Sequence, residues 1–162
     1  MNEHLIKEHL ANEHFMLEAI IEAKKALVFS EVPIGAIVVK NGRIIGRGHN
    51  TREGSELAIA HAEINAIIEA SKTLGSWRLT ECDLYVTIEP CPMCIGAIYQ
   101  SRIRAIYYGA KDDKAGACGS IFNLFDFEGL NHYCEVHSGI LEEESKQLIK
   151  DFFVKQRNKI KD

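Results

Sequence analysis

The sequence lacks any hydrophobic run long enough to cross a membrane, and its first residues lack the basic and apolar regions of a secretion signal. We therefore expect a cytoplasmic protein. A net charge of -4 gives no excess of basic groups for nucleic-acid binding, so any such surface has to be a local patch. Repeats and low-complexity segments are also absent. A length of 162 residues, 46% of them hydrophobic, predicts one domain that spans residues 1–162.

Cysteine is sparse, and the five cysteines do not form a recognisable disulfide framework. Cys91-Pro92-Met93-Cys94 is a Cys-x-x-Cys motif, but a zinc ribbon needs a second copy and the sequence has none. If these two cysteines bind metal, Cys82, Cys118 and Cys134 remain as an odd set. That remainder favours a reducing compartment, and we predict that the three thiols are buried or half-buried.

A second short stretch, His61-Ala62-Glu63, supplies an imidazole and a carboxylate, which the cysteine pair lacks for a catalytic zinc site. One imidazole and two thiols form a three-ligand set for zinc, with the fourth position left for water or substrate. Glu63 is then a spare carboxylate that could carry the proton of a zinc-bound water, whose pKa falls to about 7. Taken alone, His61 is more often a core residue, and Cys91 and Cys94 could be a redox pair. The joint pattern, His-x-Glu with Pro-Cys-x-x-Cys, is typical of the nucleobase deaminases.

Helix geometry supports this pairing. Residues three apart share a helix face, so Cys91 and Cys94 can meet one metal if a helix begins near Pro90, and a helix N-terminus favours the thiolate form. His61 and Glu63 are two residues apart, which in a regular helix places them on nearly opposite sides. We therefore expect His61 at the very start of its helix.

The hydrophobic pattern predicts an α/β fold. Asn41-Gly42 between two apolar runs predicts an antiparallel hairpin, and Gly46 and Gly48 indicate a bulge in its second strand. Strand, helix and strand around the cysteine motif predict a parallel crossover, with the site at the carboxyl ends of the strands. Trp77 and Leu79 are expected in the core. Helices are predicted at about residues 12–29, 60–72, 90–99 and 141–159, and strands at about residues 34–39, 43–48, 84–88, 105–109 and 133–136.

Two predicted loops flank the site. Asn50 opens a polar loop that runs to about residue 57, and it is either an ordinary turn residue or an amide that hydrogen-bonds a substrate base. The second loop, Lys111 to Ser120, is small, glycine-rich and charged, without the spacing of a phosphate-binding motif.

The basic end of the last predicted helix also has two interpretations. Lys155, Arg157 and Lys159 either complement the helix dipole or bind phosphates while Phe152 or Phe153 packs near a base. The sequence favours neither.

The sequence resembles the bacterial tRNA-specific adenosine deaminases, within the wider cytidine-deaminase-like zinc enzymes. Lys114 to Ser120, Asn131-His132 and Phe152-Phe153 favour the tRNA branch, whereas the zinc motifs are common to the superfamily. The chain departs from the family pattern at residues 56–60, before His61, and at Gln156. The likeness covers nearly the whole chain and lies in Glu31 to Ala36, Gly48 to Asn50, His61 to Ile64, Leu84 to Cys94, Gly96 to Ile98, Ser101 to Ile103, Tyr108 to Ala110 and the three segments named above.

The resemblance implies a three-layer α/β/α fold, with a central mixed sheet of about five strands and helices on both faces. It implies a homodimer that converts adenosine at the wobble position of a tRNA anticodon to inosine. Zinc, one ion per subunit, would be held by His61, Cys91 and Cys94 and would supply hydroxide to C6 of adenine while Glu63 transfers protons. The implied substrate-binding residues are Asn50, Ala62, Asp112, Lys114, Phe153 and Arg157.

Two alternatives stay open at this point. A deaminase with the same chemistry could act on a free base or nucleoside, of the guanine or cytidine type, and would need no RNA-facing surface. A non-catalytic, zinc-stabilised binding module is the other. Glu63 argues against that module, because a structural zinc site is normally closed by a fourth protein ligand.

Overall fold

The computed structural model describes residues 2–161 and contains a mixed sheet of five strands with helices on both faces. The strands are β1 (Gly35–Lys40), β2 (Arg43–His49), β3 (Cys82–Ile88), β4 (Ala105–Ala110) and β5 (Glu135–Ser138). The helices are α1 (Glu3–Val28), α2 (Arg52–Ser55), α3 (Ala62–Leu74), α4 (Pro92–Gln100) and α5 (Glu142–Lys161), with a 3-10 turn at Leu124–Asp126. The predicted α/β class is confirmed.

The strand order is β2-β1-β3-β4-β5. β1 is antiparallel to both β2 and β3, whereas β4 is parallel to β3 and β5 is parallel to β4. Asn41 and Gly42 join β1 to β2 with positive φ angles of 50° and 73°, as a type I′ hairpin turn requires. The predicted hairpin and the parallel crossover through α4 are therefore confirmed. The crossover places the start of α4 at the carboxyl end of β3.

Two hydrophobic clusters, one on each face of the sheet, hold the helices in place. On one face, Met16 and Ile20 of α1 and Leu148 of α5 pack against Ile37 and Tyr85. Helices α3 and α4 cover the opposite face, which gives the three-layer α/β/α arrangement that the resemblance implied. The buried apolar residues of these two helices are Ala62, Ala66, Ile67, Ala70, Ile95 and Ile98.

Two glycines of β2 allow α3 to lie directly on the sheet. A Cβ atom at Gly46 would come 2.3 Å from the carbonyl oxygen of Ala66, and one at Gly48 would come 2.3 Å from that of Ala62. Gly46 also adjoins the predicted bulge, because the pairing with β1 shifts there and leaves Ile45 as the extra residue. The close approach fixes the first turn of α3 against the end of β2.

The first helix is longer than the sequence pattern indicated. α1 begins at Glu3 rather than near residue 12, and the side chain of Asn2 caps it by accepting a hydrogen bond from the backbone N–H of His4 at 3.2 Å. Its first buried side chain is Met16, so the early turns carry no core-facing periodicity. The predicted start is therefore wrong, whereas a helix over the predicted residues up to near residue 29 is confirmed.

The prediction that Trp77 lies in the core is wrong. Its side chain is 58% exposed, and the guanidinium carbon of Arg78 lies 4.6 Å from the centre of its ring, whereas Leu79 is fully buried as predicted. A cation over the ring face can cover part of an aromatic surface that would otherwise be fully exposed. The aromatic character of Trp77 was therefore not enough to predict that it is buried.

Smaller differences concern the connecting segments. The predicted polar loop after β2 contains the single turn of α2, and β5 lies two residues later than the predicted strand at 133–136. Cys82, Cys118 and Cys134 are all buried, as predicted. Among residues 2–161, no helix is both long enough and apolar enough to span a membrane.

Candidate active site

The predicted metal ligands lie at the first residues of two helices on the same face of the sheet. His61 is the N-cap of α3 and Cys91 is the N-cap of α4, and both have extended backbone angles. Pro92 occupies the first turn of α4, a position where a missing N–H costs nothing. The expectation that His61 stands at the very start of its helix is confirmed, because its extended backbone turns it away from the regular helical spacing.

The three ligand atoms converge. Nδ1 of His61 lies 3.7 Å from Sγ of Cys91 and 3.5 Å from Sγ of Cys94, and all three atoms lie within 4.8 Å of one another. A tetrahedral zinc ion with bonds of about 2.0–2.3 Å separates such atoms by roughly 3.5–3.8 Å. The side chains are therefore positioned to bind a metal ion, and two sulfurs with one imidazole suit zinc.

Hydrogen bonds and burial make the two thiols unequal. The pKa of Cys91 is lowered to about 4, chiefly by the hydrogen bond from Cys94 and also by the contact with His61. The same hydrogen bond and burial raise the pKa of Cys94, while the contact with Cys91 raises the pKa of His61. A lowered pKa favours the thiolate form of Cys91, which is the form that ligates metal.

Glu63 is buried beside the ligands, in the first turn of α3. Glu63 is only 3% exposed, and the charges of Cys91 and His61 are close enough to affect its carboxyl group. Burial raises the pKa of Glu63 to about 7, and the negative charge of Cys91 contributes to that rise. Glu63 thus lies next to the three ligands.

A pocket opens onto His61 and Glu63. Its volume is about 120 Å³. A concave site that combines apolar side chains with a few polar groups is the usual form of a small-ligand pocket. The residues that line it are Val32, Ile34, Asn50, Arg52, His61, Ala62 and Glu63.

Asn50 has the turn role that the sequence allowed, and it also lines the pocket. Its Nδ2 donates to the carbonyl oxygen of Val32 at 3.3 Å, and its Oδ1 accepts a hydrogen bond from the backbone N–H of Arg52 at 3.1 Å. The turn interpretation is therefore confirmed. Contact with a substrate base stays a prediction, and the second N–H of the amide is the group that could make it.

The Lys111–Ser120 loop belongs to no helix or strand, as predicted. Oδ1 of Asp112 accepts hydrogen bonds from the backbone N–H groups of Lys114 and Ala115, at 3.0 and 3.1 Å. This Asx-type turn shapes the loop and leaves Lys114 exposed. Contacts of Asp112 and Lys114 with RNA stay predictions.

Two buried glutamates hold the loops beside the site, and neither was assigned a role from the sequence. Glu31 accepts hydrogen bonds from the backbone N–H groups of Glu53 and Gly54, at 3.2 and 2.6 Å, and so holds α2. Glu89 is hydrogen-bonded to the Lys111–Ser120 loop. The available signal was an acidic residue adjoining an apolar segment and a proline.

The predicted RNA contacts of α5 are exposed. Phe153 is 45% exposed, and Arg157, one turn further along, is exposed as well. A separate cleft of about 220 Å³ lies between α5 and the end of α1. Its lining includes Leu27, Ser30, Phe152, Lys155, Gln156 and Lys159. Lys155 and Lys159 thus line this cleft, whereas Phe153 and Arg157 are not among its lining residues. The roles of Phe153 and Arg157 stay predictions.

Comparison with known proteins identifies the family to which this chain belongs. A profile that describes the MafB19-like deaminases matches residues 10–157. The chain is 52% identical over 150 residues to the tRNA-specific adenosine deaminase of Bacillus subtilis strain 168, and the match covers 93% of each chain.

Solved structures of similar fold are also deaminases. A structure described as a tRNA:A34 deaminase, from work on A-to-I editing at the wobble position, matches with a TM-score of 0.78 and 44% identity, covering 83% of this chain and 98% of that one. The guanine deaminase of Bacillus subtilis matches with a TM-score of 0.60 and 33% identity, covering 98% and 95%. Family, fold and ligand geometry agree, and the chain belongs to the deaminase family that contains the tRNA-specific adenosine deaminases.

Proposed function

We propose that this protein hydrolytically deaminates adenosine to inosine at the wobble position of a tRNA anticodon. The observation that carries the proposal is the buried carboxylate of Glu63 beside the converged atoms of His61, Cys91 and Cys94, with Glu63 and His61 lining a small pocket. The similarity to tRNA-specific adenosine deaminases over nearly the whole chain supports this substrate.

His61, Cys91 and Cys94 would hold a zinc ion, which fits the distances between their ligand atoms. When bound, zinc makes hydroxide available at neutral pH. Glu63 takes up the proton released from water and delivers it to N1 of adenine as the C6–O bond forms. The same carboxylate then takes the proton of the new C6 hydroxyl and delivers it to the amino group, which leaves as ammonia as the C6–N bond breaks and the C6 carbonyl forms. Water and adenosine are thereby converted to inosine and ammonia.

The pocket walls would orient the base. The side-chain amide of Asn50 and the backbone near Ala62 line the pocket, where hydrogen bonds to the base edge would hold C6 toward the metal ligands. The base has to leave its stack, which costs a few kcal/mol and least in an unpaired loop. That cost favours an anticodon loop over a duplex.

We assign the RNA-facing roles to Asp112 and Lys114 of the loop after β4 and to Phe153 and Arg157 of α5. Lys114, Phe153 and Arg157 are exposed, which suits contact with a large substrate, and Asp112 is half-buried in the same loop as Lys114. An exposed aromatic ring beside basic groups fits single-stranded RNA, since bases stack on the ring while the cations meet phosphates.

The proposal includes a homodimer that acts in the cytoplasm. Leu57 and Ile59, in the segment that leads to His61, are 54% and 58% exposed. Contiguous apolar patches at the surface are typical of surfaces that a subunit contact covers, and these two side chains would belong to such a patch. Light scattering at several protein concentrations tests the dimer, for which twice the chain mass of 18.2 kDa is expected.

A free-base deaminase is the second candidate, because the guanine deaminase of Bacillus subtilis shares 33% of its residues with this chain. The two candidates separate in one assay. Zinc-loaded protein is incubated with an adenosine-containing anticodon stem-loop and, separately, with guanine, adenosine and cytidine. Deamination of the stem-loop alone supports the tRNA proposal, whereas turnover of a free base without the stem-loop would replace it with the second candidate.

A further inference from the structure

Glu89 is a buried carboxylate that the proton transfers described above do not use. It is 1% exposed and lies two residues before the metal ligand Cys91. A carboxylate at this depth needs hydrogen-bond donors in place of water. All the donors found for Glu89 among residues 2–161 come from the Lys111–Ser120 loop.

Both carboxylate oxygens of Glu89 are engaged. Oε1 accepts hydrogen bonds from the backbone N–H groups of Cys118 and Ser120, each at 3.0 Å. Oε2 accepts one from the backbone N–H of Asp112 at 3.0 Å and another from the hydroxyl of Ser120. One side chain thereby joins the beginning and the end of the loop.

The loop is also built closely around this carboxylate. A Cβ atom at Gly116 would come 2.3 Å from Cδ and 2.3 Å from Oε2 of Glu89, so only glycine fits this contact. The backbone N–H of Ala117 donates to the carbonyl oxygen of Pro90 at 2.9 Å. Glu89 and Pro90, the two residues directly before Cys91, thus carry the contacts that fix the loop against the metal centre.

We propose that Glu89 is a positioning residue, which holds the Lys111–Ser120 loop in its RNA-binding conformation before the substrate arrives. The inference rests on the proposed function for the identity of the substrate. A loop that is already ordered loses less conformational entropy when it binds. Without the carboxylate, only a fraction of molecules would have the competent loop, and the apparent affinity would fall by that fraction.

The test replaces Glu89 by glutamine, which keeps the size of the side chain. The amide nitrogen of Glu89→Gln then faces backbone N–H donors on one side, and these lose their acceptor. We expect the amides of Asp112, Cys118 and Ser120 to exchange hydrogen roughly tenfold faster. Zinc content stays the same, and KM for the stem-loop rises roughly tenfold while kcat changes by less than about twofold.

Two further variants keep the test decisive. Ser120→Ala removes only the hydroxyl donor, so it gives a smaller rise in KM and in exchange even if Glu89→Gln folds poorly. Glu128→Gln makes the same charge change at an exposed site and leaves both quantities unchanged.

Unchanged exchange of these amides in a folded Glu89→Gln or Ser120→Ala protein would overturn the proposal. A fall in kcat and zinc content with KM unchanged would overturn it too, since Glu89 would then act through the metal centre. If the wild-type protein does not deaminate the stem-loop, the proposed function fails while the exchange measurement still decides the role of Glu89.

Discussion

The candidate metal centre and the C-terminal half of α5 hold their predicted functional side chains in opposite ways. His61, Cys91 and Cys94 stand at the starts of two helices that pack on the sheet, and Glu63 is buried among them. On α5, Phe153 and Arg157 are exposed. Chemistry that depends on distances of a few tenths of an ångström needs the first arrangement. Recognition of a flexible RNA loop is compatible with the second.

The largest expected effect is the loss of a metal ligand. In Cys94→Ala the converged set loses one of its two sulfurs, so bound zinc should fall well below one ion per chain and deamination of the stem-loop should fall to background. Elemental analysis of the purified protein measures the zinc. Cys82→Ala, at a buried cysteine outside the ligand set, is the control and should keep its zinc. Full zinc occupancy in Cys94→Ala would mean that another residue completes the site.

The next largest effect is on the free energy of unfolding, and it is expected to differ between two nearby apolar residues outside the candidate metal centre. Leu79→Ala should lower the free energy of unfolding by about 2–5 kcal/mol, because a fully buried side chain leaves a cavity. Trp77→Ala should change it by less than about 0.5 kcal/mol, since this ring is mostly exposed. Urea denaturation of both variants checks the pair. Equal losses would show that Trp77 is covered in solution.

A smaller change in unfolding is expected where β2 touches α3. A Cβ atom at Gly48 would come 2.3 Å from a backbone oxygen of Ala62, so Gly48→Ala should destabilise the protein by about 1–3 kcal/mol and move the first turn of α3. The matched control is Gly96→Ala in α4, where a Cβ meets no atom within 4 Å. That change should stabilise the protein by about 0.5–1 kcal/mol. A destabilised Gly96→Ala with an unaffected Gly48→Ala would contradict the packing described.

The smallest effect is expected on α5. Arg157→Ala should weaken binding of the stem-loop several-fold and reduce the slope of log affinity against log salt by about one, as the loss of one phosphate contact does. Fluorescence anisotropy over a range of salt concentrations measures both quantities. Arg43→Ala, exposed at the hairpin turn, is the control and should leave the slope unchanged. An unchanged slope in Arg157→Ala would show that Arg157 makes no phosphate contact and only complements the helix dipole.

The same contrast decides what the sequence could predict. Zinc ligands have few possible residue types and a fixed spacing, so the convergence of His61, Cys91 and Cys94 could be predicted. The two-residue spacing to Glu63 required His61 to start its helix, which it does. The hairpin was predictable as well, because Asn41 and Gly42 suit a turn with positive φ angles.

The loop-holding glutamates could not be assigned in that way. Glu31 and Glu89 are recognised by the backbone N–H groups around them, and backbone donors have no sequence signature. The early turns of α1 escaped prediction because their side chains face solvent. Trp77 was misplaced because its large apolar ring is covered on one face by Arg78 instead of by the core.

The central claim is that Glu63 transfers protons for the deamination of adenosine in an anticodon loop. Its most direct test is single-turnover inosine formation on the stem-loop by zinc-loaded wild type and Glu63→Gln at saturating protein. We expect equal zinc content and a rate about 10²–10⁴-fold lower in Glu63→Gln, the usual contribution of a general acid–base group. A Glu63→Gln protein that keeps its zinc and forms inosine at the wild-type rate would contradict the claim.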